Sequence, residues 1–114
     1  MKTLIALLLL APALAFGDSG STAAARQEYL RGTLLERRGA YVEALAAYEK
    51  ALSLDPGSAF LAGEAADLAL EVEDWSRAER WARRRLELAP ADGKSQMILA
   101  RVFWSRGQEF EAIA

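Results

Sequence analysis

The 114-residue chain contains no cysteine and no histidine. Without cysteine there is no disulfide and no thiol nucleophile, and lipid attachment at a cysteine after an N-terminal apolar run is excluded. Without histidine, the commonest general base and a principal transition-metal ligand are missing. Carboxylate pairs occur at Glu73-Asp74 and Glu109-Glu111, but each falls at an expected helix start, where acids suit the helix dipole. No glycine-rich phosphate loop follows a strand. The sequence therefore argues against an enzyme, and no metal or cofactor is expected. Proline is scarce, at three residues, and strand signals are few. Ala, Leu, Glu and Arg dominate, all strong helix formers, so an all-α fold is predicted. Lys and Arg number 14 against 16 Asp and Glu, a net charge of −2. That balance does not suggest a nucleic-acid partner, which usually needs a basic surface.

Only one long hydrophobic run is present, at the N-terminus. Thr3 to Leu14 is apolar apart from Thr3 and Pro12, and is too short for a membrane-crossing helix of ~20 residues. Lys2 precedes it. Ala13-Leu14-Ala15 forms a small-x-small cleavage site, followed by the polar stretch Gly17-Asp18-Ser19-Gly20. This is the layout of a secretory signal peptide, residues 1–15, with a flexible mature N-terminus over 16–22. Cleavage after Ala15 is expected, with a cut after Ala13 as the alternative. The mature chain would be periplasmic or secreted, with no membrane span after cleavage. It keeps about 99 residues, enough for one small core.

Self-similarity organises the remainder. "GAYVEALAAYEKALSLDP", from Gly39 to Pro56, aligns without a gap to "EDWSRAERWARRRLELAP", from Glu73 to Pro90, at an offset of 34 residues. Tyr41 meets Trp75, Ala44 meets Ala78, Leu52 meets Leu86 and Pro56 meets Pro90. Upstream, Gly32 meets Ala66 and then Ala100, small residues that let helices approach closely. Ser58 caps a predicted helix through about Val72. Asp74 caps another from Trp75 to about Leu88, and Asp92 a third from Gly93 to about Arg106. Gly39 and Gly107 stand at the turns within their repeats, where a left-handed residue is favoured. Glu73 takes that place in the middle repeat, so its turn is expected to be less ideal.

The pattern resembles the tetratricopeptide repeat (TPR) family, of an exported bacterial type. Gly32, Leu35, Gly39, Tyr41, Ala44, Tyr48, Ala51 and Pro56 carry the likeness in the first repeat. In the second, Trp75, Ala78 and Pro90 fit. Ala82 replaces an expected aromatic residue, with Trp81 beside it as a source of the missing bulk, and Arg85 replaces an expected small one. The third keeps Leu99, Ala100, Phe103, Gly107 and Ala112. The resemblance implies a helix-turn-helix solenoid over residues 23–114, a right-handed superhelix of two full repeats (about 25–58 and 59–92) and an incomplete third (93–114). It also implies a scaffold that binds a protein or peptide through a concave groove.

Carrying over the family's inward-facing positions places Arg26, Tyr29, Thr33, Glu36 and Arg37 in the groove from the first repeat. Phe60, Gly63, Asp67, Leu70 and Glu71 follow from the second, and Lys94, Met97, Arg101, Trp104 and Ser105 from the third. The partner-binding set is Arg26, Tyr29, Thr33, Arg37, Phe60, Asp67, Lys94, Met97, Arg101 and Trp104. Phe60, Leu70 and Met97 could equally pack between repeats. Some TPR proteins grip a terminal carboxylate with Lys, Arg and Asn. Here Tyr29, Thr33 and Ile98 stand at three of those sites and only Lys94 fits, so that binding mode is not predicted. The run Arg83-Arg84-Arg85, with Arg77 and Arg80, reads as a solvated helix face laced to Glu79 and Glu87. Docking of an acidic partner or of lipid headgroups is the alternative.

The last residues repeat the pattern once more: "GQEFEAIA", from Gly107 to Ala114, overlays Gly39 to Ala46. The second helix of the third repeat therefore begins and stops after about two turns, too short to be stable alone. The expectation is an N-terminal part of a longer repeat array, with the apolar face around Ile98, Val102 and Phe103 poorly covered; self-association through that open end is the alternative. Three functions follow: an interaction scaffold in cell-envelope assembly or maintenance, a self-assembling structural module, or auxiliary repeats of a longer protein carrying another domain.

Overall fold

The computed structural model describes residues 19–107, which form five α-helices and no strand. They are α1 (Ser19–Arg37), α2 (Tyr41–Leu54), α3 (Ala59–Glu71), α4 (Trp75–Leu88) and α5 (Gly93–Ser105). Residues 1–18, which include the stretch 1–15 read as a signal peptide, and the whole tail from Gln108 to Ala114 lie outside the described residues. α1 begins at Ser19, inside the stretch 16–22 read as a flexible entry. The alanines at 23 to 25 are the best helix formers available and carry the helix back past the expected start.

Local chemistry explains the helix starts. The side chains of Ser58, Asp74 and Asp92 accept hydrogen bonds from the amides of Leu61, Arg77 and Ser95, respectively. Each satisfies one of the amides a helix N-terminus leaves open, an interaction typically worth ~1 kcal/mol. All three caps stand where the sequence places them. Ser95 is buried, and its hydroxyl also donates to Asp92.

The turns within repeats share one backbone form. The amides of Ala40 and Asp74 donate to the carbonyls of Leu35 and Ala69, both at 2.9 Å, six residues round in each case. This closure needs a left-handed residue at its centre. Gly39 has φ 79° and Gly107 φ 71°, while Glu73 is forced to φ 60°. A left-handed L-residue costs roughly 1–2 kcal/mol, and glycine escapes it. Glu73→Gly is therefore expected to raise stability by about 1 kcal/mol, read as a melting temperature several degrees higher.

Packing rests on small side chains. Ala44, Ala47, Ala51, Ala62, Ala65, Ala66, Ala69, Ala78 and Ala82 are all fully buried. They let α1 seat on α2 and α3 on α4, with α5 packed on α4 and, more lightly, on α3. Leu45, Leu52, Leu61, Leu68, Ile98, Leu99, Val102 and Phe103 fill the intervening space. At the closest approach of α1 and α2, the Tyr48 ring lies over Gly32. A Cβ added to Gly32 would stand 2.4 Å from Tyr48 Cε1. The same two positions of the second repeat hold Ala66 and Ala82. Two residues of equal size stand there in place of the small–large pair, and both are fully buried.

Trp81, expected to supply bulk beside Ala82, is partly buried and packs against the core. Its indole lies toward α2, and Nε1 donates to Glu49 Oε2 at 2.8 Å, tying the second helices of the two repeats together. Ile98, Val102 and Phe103, expected to be poorly covered, are buried. α4 packs along α5, and the Arg83 guanidinium sits 5.5 Å from the centre of the Phe103 ring. Exposed apolar side chains lie instead on the first helix pair, at Leu30, Leu34 and Val42, and at Phe60, Met97 and Trp104. No helix among the described residues is long and apolar enough to cross a membrane.

Candidate functional site: a three-helix face with three hollows

The first helices of the three repeats, α1, α3 and α5, present the predicted binding residues. Three neighbouring hollows run along them. The first, about 200 Å³, is bounded by Arg26, Tyr29 and Phe60 with Asp55, Ser58 and Leu61. The second, about 330 Å³, gathers Thr33, Glu36, Arg37, Tyr41, Tyr48, Glu64 and Glu71. The third, about 500 Å³, is lined by Asp67, Leu70, Glu71, Glu73, Lys94 and Arg101. Eight of the ten predicted positions thus border a hollow. Met97 and Trp104 do not, but both are open to solvent, Trp104 at 71%.

Aromatic contacts set the first two hollows. Tyr29 stacks on Tyr48 with ring centres 5.6 Å apart, and meets Phe60 edge to face at 5.2 Å. Such pairs contribute about 0.5–1.5 kcal/mol each beyond burial. Phe60 therefore does both things the sequence allowed: it links the first helices of two repeats while leaving half its surface exposed. Leu70 packs against the core, and Met97 is exposed. Tyr48 belongs to α2 but reaches through the gap at Gly32 to the α1 face. There its hydroxyl donates to Glu36 Oε1 at 2.7 Å. Burial, and then that carboxylate, hold the Tyr48 phenol far above its ordinary pKa.

Gly63 was expected in the groove, but it is buried. The Arg85 side chain crosses it, and a Cβ there would collide with Arg85 Nη1, Cζ and Cδ. From that position Arg85 Nε reaches Asp92 Oδ2 at 3.0 Å as an ion pair. Glu64, the neighbouring residue, is the one that enters the second hollow. Its spacing gives the signal that was available: four residues after Phe60 and three before Asp67, it shares their helix face. Glu64 makes no hydrogen bond and no ion pair. Burial, with the charges of Asp67 and Glu36, raises its carboxyl pKa against the pull of Lys94 and Arg85. In the third hollow, Lys94 Nζ and Asp67 Oδ2 pair at 2.8 Å, which raises the Lys94 pKa.

The arginine-rich helix α4 is largely neutralised by neighbouring acids. Arg77 pairs with Asp74 at 2.7 Å and with Glu49 at 3.1 Å. Arg83 pairs with Glu79, and Arg84 with Glu87, both at 2.9 Å. Arg84 also donates to the Pro56 carbonyl at 3.0 Å. Arg80 lies 4.8 Å from the Trp81 ring centre. The solvated reading of the Glu79 and Glu87 pairs agrees with this geometry. Arg85 departs from it, because it turns inward over Gly63.

Comparison with known proteins gives the fold a name. The sequence profile of the tetratricopeptide repeat matches residues 25–58. The chain superposes on the second TPR of Spaghetti (RPAP3) bound to the HSP90 peptide SRMEEVD, with a TM-score of 0.74 and 21% identity, over 84% of this chain and 88% of that one. The N-terminal domain of stress-induced protein-1 (STI-1) from C. elegans gives 0.72 and 20%, over 82% and 79% of the two chains. YrrB, a TPR protein with an unusual peptide-binding site, gives 0.66 and 23%, over 88% of this chain and half of its own. No curated protein sequence matches the chain. The described residues have the fold of a tetratricopeptide-repeat domain.

Proposed function

We propose that the chain is an exported tetratricopeptide-repeat scaffold. It binds a segment of a partner protein along the face of α1, α3 and α5 and serves cell-envelope assembly or maintenance, in the periplasm or outside the cell. Its helix pairs stack as a right-handed solenoid. One observation supports the binding role: three hollows on that face, bordered by the exposed side chains of Phe60, Tyr41, Lys94 and Arg101 among others. Two of the similar structures have peptide binding in their descriptions, which supports the same use of this face. Export is supported by the N-terminal charge, apolar run and small-residue cleavage site read above.

Trp104→Ala combined with Arg101→Glu tests the binding face. Both side chains are exposed, so the helices should keep their circular dichroism and melting temperature. Exposed aromatic and arginine side chains are the usual anchors of interfaces. Affinity for a partner recovered by cross-linking from envelope extract should fall by at least about tenfold. Undiminished affinity in the folded variant would overturn the reading.

A further inference from the structure

We infer that the partner segment seated on this face carries a cationic side chain, Lys or Arg, received in the second hollow between Glu36 and Glu64. The inference rests on the groove reading above and specifies the chemistry of its occupant.

The carboxylates of this protein divide into two groups. Glu28, Glu49, Asp67, Asp74, Glu79 and Asp92 are half-buried, and each pairs with a Lys or Arg of the chain. Among the described residues, three further half-buried carboxylates form no ion pair: Asp55, which borders the first hollow together with Arg26, and Glu36 and Glu64 in the second. Glu36 has the Tyr48 hydroxyl as its hydrogen-bond donor, and Glu64 has none. Glu71 opens into the same hollow without an ion pair, and the one cation on its rim, Arg37, is exposed and pairs with none of the three. The second hollow thus holds Glu36, Glu64 and Glu71 against Arg37, an excess of negative charge.

Partial burial makes that imbalance costly to the free protein and useful to a ligand. A carboxylate removed from water without a partner is destabilised, and an incoming cation recovers the loss. The walls suit the rest of such a side chain. Tyr41 and Tyr48 line the hollow beside Thr33. Tyr41 is the exposed one of the two; a tyrosine face attracts cations and its ring covers the alkyl stem of Lys or Arg. Aromatic walls and uncompensated carboxylates are separate features, and both select positive charge. The third hollow is less acidic: Asp67, Glu71 and Glu73 share it with Lys94 and Arg101, and Asp67 is already paired with Lys94. The positive residue of the partner is therefore directed to the α1–α3 end of the face. An acidic segment of the SRMEEVD kind would meet repulsion there.

Selection of short random peptides displayed on phage against the full chain tests this. Peptides that bind should be enriched in Lys and Arg. Replacing those residues with Ala in a selected peptide, or combining Glu36→Gln with Glu64→Gln in the protein, should weaken binding at least about tenfold. Glutamine keeps an acceptor for the Tyr48 hydroxyl and relieves the buried charge, so the variant should stay folded by circular dichroism. If selected peptides are acidic or uncharged and lose affinity with Trp104→Ala and Arg101→Glu, the cationic inference falls and the groove reading stands. If binding is indifferent to both pairs of substitutions, the groove reading falls and takes the inference with it.

Discussion

Gly32→Ala will destabilise the fold by about 2 kcal/mol, although alanine is the better helix former. The gain in helix propensity is at most ~1 kcal/mol. Against it stands a methyl group placed 2.4 Å from Tyr48 Cε1, 2.6 Å from Cδ1 and 3.3 Å from the Ala44 carbonyl oxygen. The ring cannot swing away, because Tyr48 is 1% exposed and fixed by its bond to Glu36 and its stack on Tyr29. Overpacking of this kind costs typically 1–3 kcal/mol, and the rigid ring puts this site at or above the top of that range. Tyr48→Ala alone will cost about 3–5 kcal/mol through the cavity it opens. The second repeat shows what should happen when both change, since Ala66 and Ala82 already occupy the equivalent positions, fully buried. The double variant should be more stable than the sum of the single effects predicts, by at least about 1 kcal/mol of coupling. Urea unfolding of the four proteins measures this. Additive losses would show that the two positions do not share one space.

What could be read from the sequence was local or periodic. The caps at Ser58, Asp74 and Asp92 and the turns at Gly39 and Glu73 depend on a few neighbouring backbone groups, and a 34-residue offset marks them in the sequence. The face of α1, α3 and α5 was legible for the same reason, because helical spacing fixes which residues share it. What could not be read was where long side chains go after leaving the backbone. Tyr48 was recognised as a repeat position, but its passage across Gly32 to Glu36 belongs to the packing of two helices. The division of charge was equally hidden. Opposite signs three or four residues apart identify Arg83 with Glu79 and Arg84 with Glu87, whereas Arg77 finds Glu49 and Arg106 finds Glu79 only once the repeats stack. Glu36 and Glu64 are conspicuous only after those pairs are known. Gly63 was assigned to the groove by position alone, and Arg85 was noted as a departure. That the two departures fill each other's space required the coordinates.

That pair gives the second large effect. Gly63 and Arg85 correspond to Tyr29 and Ala51 in the first repeat, so large and small have exchanged sides of one helix contact. Gly63→Ala should be mild, because the atoms it meets are the far end of a flexible arginine. Gly63→Tyr should not be. A whole ring must displace the Arg85 guanidinium from above α3 and break its 3.0 Å pairing with Asp92, the residue that caps α5. A loss of about 3 kcal/mol is expected, the upper range for overpacking, with α5 loosening first in hydrogen exchange because its cap and its neighbour move together. Arg85→Ala alone should cost about 1–2 kcal/mol through lost packing and the loss of a partly exposed ion pair. Together the two substitutions recreate the Tyr29–Ala51 arrangement, and the double variant should recover most of the loss caused by Gly63→Tyr. If it does not, Arg85 holds the second repeat by its charge. If it does, the arginine is there to fill space, and the repeat has kept the volume of this contact while reversing which helix supplies it.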